Sequence, residues 1–127
     1  IGDSPQGNIL FLGAISYLSF TTSDADVTAT FDGDYSIGTV PTADSDVADS
    51  GEADIIPSTA LGAATAKVSP VVRGASTDAI GGGIIDNTDG SLEINLNLLI
   101  DDAAISGAAI FTVNGYVEVL YSVLGDD

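Results

Sequence analysis

Apolar and polar residues alternate with a period of two along much of this chain, and the cleanest run is Ser91 to Ile100, where Leu92, Ile94, Leu96, Leu98 and Ile100 share one face. That spacing predicts a half-buried strand. Ile9 to Leu12 and Ile15 to Phe20 read as two further strands separated near Gly13. Val27, Ala29 and Phe31 lead into Asp32-Gly33-Asp34, after which Tyr35 and Ile37 resume, so a three-residue loop would pair Phe31 with Tyr35 and Ala29 with Ile37 in a hairpin. Lys67 to Val72 reads as an edge strand interrupted by Pro70. Ser58 to Ala66 is the one stretch that could supply a short helix, capped by Ser58 or Thr59 and weakened by Gly62.

The final stretch, "AIFTVNGYVEVLYSVLGDD", holds an Asn-Gly pair that would ordinarily signal a hairpin. A two-residue turn there would set Phe111 against Glu118, which is a poor register. As one strand, Phe111, Val113, Val117, Val119, Tyr121 and Val123 fall on one face, with Thr112, Asn114, Glu118 and Ser122 on the other. The phase favours a single strand, bent or bulged at Gly115. About eight strands with regularly spaced turns and at most one short helix give an all-β reading: a single domain over residues 1–127, an antiparallel β-sandwich with a jelly roll as the leading arrangement and a barrel as the second.

Charge changes the picture most. The 127 residues contain 19 carboxylates against Lys67 and Arg73, a formal net charge of −17, yet the chain is 45% hydrophobic with positive mean hydropathy. It therefore has enough apolar surface to fold, where a merely charged chain would not. Abundant Asp, scarce Lys and many small residues resemble the proteins of extreme halophiles. Like charges repel across about 10 Å at 0.1 M salt but only about 3 Å at molar salt. Partners of like sign, nucleic acid and anionic membranes, are not expected. The apolar run Ile9 to Ile15 falls far short of the ~20 residues that span a bilayer. The chain opens at Ile1 rather than Met, so processing or an omitted start is expected.

Chemistry is harder to find. With no His and no Cys, the chain offers no Ser-His-Asp triad, no Cys-His pair and no ordinary zinc site, so neither a catalytic nor a cofactor-binding residue is expected. Asp49-Ser50-Gly51 matches the short motif of dimeric aspartic proteases, but it lies in the acidic stretch "TADSDVADSGEAD", Thr42 to Asp54, which reads as an exposed loop. "IDNTDGSLE", Ile85 to Glu93, is calcium-like around Asp86 and Asp89 but lacks the first ligand and the flanking helices of an EF-hand. Asp86 and Asp89 are thus the metal candidates, with Ca2+ or another structural cation the only cofactor in view. Gly81 to Gly83 lacks the Lys and helix that a phosphate loop needs, and Asp102 starts a turn through Ala103, Ala104 and Ile105.

The segment "LEINLNLLIDDAAISGAAIFTVNGYVEVLYSVLGDD", Leu92 to Asp127, resembles the closing part of small virion proteins of tailed viruses, in which a strand, an acidic turn and a last long strand finish a β-sandwich. The resemblance implies a non-enzymatic capsid decoration or cement subunit on the virion surface, from a virus of a salt-loving archaeon, with the major capsid protein or neighbouring copies as partners. Long exposed strands suit exchange or augmentation between subunits of a homo-oligomer. Phe111, Val113, Val117, Val119, Tyr121 and Leu124, with the Leu124 to Asp127 tail, are the assembly candidates. An extracellular filament built by strand donation is the alternative, and a dimeric aspartic protease the third reading.

Overall fold

The computed structural model describes residues 1–43, 45–62, 66–76 and 84–125. Eight strands run in chain order: β1 (Gly2–Asp3), β2 (Gly7–Thr21), β3 (Gly33–Gly38), β4 (Ile56–Ala60), β5 (Val72–Ser76), β6 (Ile84–Asn87), β7 (Glu93–Ile100) and β8 (Thr112–Val123). A single 3-10 turn, Asp102–Ala104, is the helical element among the described residues. The all-β reading holds. One sheet has the order β1-β7-β3-β4, and the other is built around β2, every pairing being antiparallel.

β2 is one continuous strand of 15 residues. Its register with β8 slips between Phe11 and Gly13, leaving Leu12 as an extra residue. Before this bulge the odd positions Gly7, Ile9 and Phe11 are buried, and after it the even positions Ala14, Ser16, Leu18 and Phe20 are. The change of phase is why the alternation reads as two strands. One edge of β2 takes β6 along Gly7 to Leu10 and β5 along Ala14 to Leu18, while the other takes β8 from Ile9 to Thr21.

The buried faces meet in two clusters. Leu18, Phe20, Phe31, Tyr35, Leu61 and Ile100 anchor one, and Ile9, Phe11, Ile37, Ile55 and Ile56 the other. Between them the Ser16 and Tyr35 hydroxyls share a hydrogen bond of 2.7 Å across the sheets, and the Gly74 N–H donates to Ser16 Oγ at 3.2 Å. This buried polar link is satisfied by partners from β2, β3 and β5, so it fixes how the sheets face each other without leaving orphaned groups.

Four local expectations are corrected. Residues 27–31 form no strand opposite β3: Val27 makes an isolated bridge to Ile105, Phe31 packs edge-on to Phe111 at 5.1 Å, and β3 pairs instead with β4 and β7. Long-range burial of Phe31 outcompetes the local turn. Ser58 to Ala60 belong to β4 rather than to a helix, because Tyr35 and Asp34 pair with Thr59 and Ala60; residues 63–65 of that proposed helix lie outside the described residues. The strand near Lys67 begins only at Val72, Val68 contributing one bridge to Thr21. The described residues of the Thr42 to Asp54 stretch form no strand, as expected, yet the stretch is not wholly exposed: Val47 and Glu52 are buried.

The last strand settles the Asn-Gly question. β8 runs through Asn114-Gly115 without turning, and Leu18 pairs with Gly115. Gly115 has φ +135°, and a Cβ there would lie 1.9 Å from the Tyr17 carbonyl oxygen, so glycine is required by both conformation and contact. Gly115→Ala should therefore destabilise the fold by about 2 kcal/mol or more, read as a lower denaturation midpoint in molar salt. Gly2→Ala, where a Cβ meets nothing within 4 Å, should leave the midpoint unchanged.

Candidate functional site

Among the sheet edges described, two are protected in ways natural sheets commonly use. β1 is two residues long, and β4 carries Pro57 and passes close to β5. β8 is different. It is 12 residues long, has no Lys, Arg or Pro, carries Glu118 as its one charge, and pairs only with β2 among the described residues. Among the described residues no strand pairs with its second edge, so the backbone N–H and C=O groups of that edge have no ladder partner there.

The inner face of β8 packs partly on the core. Val117 and Val119 are half-buried against the clusters, Phe111 just before the strand packs on Phe31, and Tyr121 lies 6.4 Å from Phe11. Phe111, Val117 and Val119 thus close the core, whereas Val113, Tyr121 and Leu124 are exposed along the strand. The Leu124 end is tied down, its N–H donating to the Asn8 carbonyl at 2.8 Å, and Asp126 and Asp127 lie outside the described residues.

The outer face of the same sheet carries apolar residues that the period-two reading left unassigned. Leu120 is 64% exposed, Tyr116 51%, Leu12 47% and Ile15 46%. They adjoin one another across the strands. Tyr17 pairs with Arg73 on β5 and with Tyr116 on β8; the two tyrosine rings stack at 5.7 Å and the Arg73 guanidinium lies 4.8 Å over the Tyr17 ring. On either side of Ile15 lie open depressions of about 450 Å³ each, one reaching Glu118 and Leu120, the other Arg73 and Tyr116. Their signal was available in the sequence: after the bulge, Ile15 and Tyr17 fall on the opposite face from Leu18 and Phe20.

The carboxylate candidates are placed as follows. Asp86 Oδ1 accepts hydrogen bonds from Thr88 N and Oγ1, and Asp89 Oδ1 from Ser91 N and Oγ, all within 3.0 Å. Hydrogen bonds from Thr88 and Ser91 hold the two pKa values below the usual aspartate range. Both are exposed, each engaged by its own turn, while the neighbouring Asn87 is buried and ties that turn to Pro5 and Leu92. Asp49 lies in an exposed turn where its carbonyl accepts from Glu52 N and Ala53 N. The carboxylates that do come together among the described residues are Asp46, Asp49 and Glu52. The Gly81 to Gly83 stretch lies outside the described residues. No described helix is long and apolar enough to cross a membrane.

No family model, no curated protein and no solved structure matches the chain.

One acidic pair is strained by its charge. A hydrogen bond to Asp32 that only protonated Asp101 can donate, together with the negative field of Asp32, Asp34 and Asp102, raises the Asp101 pKa. A folded pKa above the unfolded one means that the associated stability is present below the unfolded value and is lost as pH rises through the folded value. At neutral pH this pair therefore opposes folding. Asp24, Asp86 and Asp89 have lowered pKa values, so their contribution is present above about pH 4 and is lost on acidification. Asp101→Asn should raise the melting temperature at pH 7 in low salt, with a gain that shrinks in molar salt and disappears below about pH 4; thermal unfolding across pH and salt reads this directly.

Proposed function

We propose that this chain is a non-enzymatic structural subunit, a capsid decoration or cement protein on the outside of a virion from a high-salt environment, assembling as a homo-oligomer against a shell of major capsid protein. The observation that carries this reading is β8, a long edge strand with one edge unpaired among the described residues and apolar side chains exposed on both faces. Exposed edges of this length and composition attract another strand, and natural sheets block them when no partner is intended. The face beside it adds Ile15, Tyr116 and Leu120, so edge pairing and apolar contact are offered by one side of the molecule. The resemblance of Leu92 to Asp127 to virion proteins and the halophile-like composition supply the setting.

Strand donation in a filament is supported less well than addition to the β8 edge. β2 and β8 pair with each other from Ile9 to Thr21, so each is engaged within its own fold rather than held as a free arm. The protease reading needs Asp49 of two copies to share a proton in a sequestered setting, whereas this Asp49 stands in an exposed turn.

Electron microscopy of the native source particles, kept in molar salt, should place this chain on an icosahedral shell. Finding it repeated along a helical filament would replace the decoration reading with the filament one. In solution, Leu120→Lys should shift the chain from oligomer to monomer by light scattering. Because Leu120 is exposed in the isolated chain, the melting temperature of the separated subunit should change by no more than the equivalent of about 0.5 kcal/mol.

A further inference from the structure

Glu52 is a buried carboxylate in a chain that has almost no positive charge with which to neutralise it. Its side chain is 6% exposed, Oε1 accepts from Ala43 N at 3.3 Å, and Oε2 is buried with no hydrogen-bond partner among the described residues. A buried charge left in this state is costly unless a counter-charge reaches it. The chain's two cationic side chains are occupied elsewhere, Lys67 donating to the Asp24 carbonyl and Arg73 lying over Tyr17. Instead, the groups beside Glu52 are two more carboxylates: ligand oxygens of Asp46, Asp49 and Glu52 all lie within 4.8 Å of one another.

The placement of these groups is built into the fold. The Glu52 backbone is pinned by buried side chains from the sheet beneath, its carbonyl accepting from Ser36 Oγ at 2.7 Å and Asn97 Nδ2 at 2.9 Å. Its N–H donates to the Asp49 carbonyl at 3.0 Å, and the Asp46 carbonyl accepts from Thr42 Oγ1 at 2.7 Å. The three acidic residues recur at a spacing of three in "DVADSGE", which brings them to one side of the loop. We propose that Asp46, Asp49 and Glu52 form a calcium site that locks the loop carrying them onto β3 and β7.

The chemistry favours Ca2+ within the hard cations. All three side chains offer oxygen, and two ligands at the usual Ca–O distance of about 2.4 Å can stand at most about 4.8 Å apart across the ion. Carboxylates can bind Ca2+ through one or both oxygens, and water completes an irregular shell, whereas Mg2+ demands a tighter octahedron. Glu52 supplies the buried anchor and the exposed Asp46 and Asp49 close over the ion from the solvent side.

The test is calcium titration of the whole chain in molar KCl by calorimetry, together with thermal unfolding in CaCl2, MgCl2 or EDTA. The expected result is one saturable Ca2+ per chain and a melting temperature about 10 °C higher at 100-fold excess over the dissociation constant than in EDTA. Glu52→Gln should weaken binding by about tenfold or more while melting no lower than the wild type in EDTA, since it removes a buried charge. Asp49→Asn, at an exposed position that does not depend on core packing, should also weaken binding, and Asp86→Asn should leave it intact. The proposal is overturned by the absence of saturable binding, by equal stabilisation from Mg2+ at the same concentration, by an unchanged calcium response in Asp49→Asn, or by loss of the response in Asp86→Asn alone. A merely structural Glu52 would instead lower stability equally with and without calcium and leave the affinity unchanged.

Discussion

Everything in this fold hangs on β2 having both of its edges in use. A strand has only two hydrogen-bonding edges, and β2 gives one entirely to β8 and divides the other between β6 and β5. The bulge at Leu12 makes that division possible. It reverses which side chains face the core, so that Phe11 and Ala14, three residues apart, both point inward. β8 carries no extra residue there, its consecutive Leu120 and Tyr121 pairing with Gly13 and Phe11, so the strand that completes the sheet spans the irregularity of β2 without a bulge of its own. Gly115 is needed at the far end for a related reason, since the Tyr17 backbone passes too close for a side chain.

This arrangement also explains why assembly falls to β8. β5 lies near β4, which brings one side of the sandwich together, and the Gly74 position has no room for a Cβ between Ile56 and the Tyr35 hydroxyl. On the opposite side nothing among the described residues lies beyond β8. β8 is therefore both the strand that finishes the core, through Val117 and Val119, and the strand that presents an unused edge. Val117 and Val119 lie over the core and serve stability, whereas Val113 and Tyr121, on the same face, are exposed nearer the ends of the strand, which is why candidates named from one face divide between the two roles.

The parts of the fold legible in the sequence are those where one side-chain period runs uninterrupted. β7 shows this in Leu92, Ile94, Leu96 and Leu98, which are half-buried against the core, and β8 in the phase that carries through Asn114-Gly115. Where a long-range partner decides, the local signal misleads: Phe31 turns to Phe111 and Thr59 pairs with Tyr35. The acidic loop misleads differently. Its composition is that of a solvated segment, but Asn97, a polar residue on the other face of β7, donates to the Val40 and Glu52 carbonyls and accepts from Thr42 N. Asn97, one of two asparagines set among the leucines and isoleucines of β7, was the visible sign that a loop would be drawn down onto that sheet.

The distribution of charge ties these features together. Among the described residues most carboxylates lie on turns, on loops or in the opposite sheet, whereas β2 carries no charge and the strands paired with it bear only Arg73, Asp86 and Glu118. For a chain of net charge −17, two copies can approach only where the facing surfaces are nearly neutral, or where salt has shortened the reach of the repulsion to about 3 Å. β8 and the face beside it meet the first condition, and molar salt meets the second. Association through this side would therefore strengthen as ionic strength rises, the reverse of an interface held by complementary charge, because added salt screens the acidic loops while the apolar contact loses nothing.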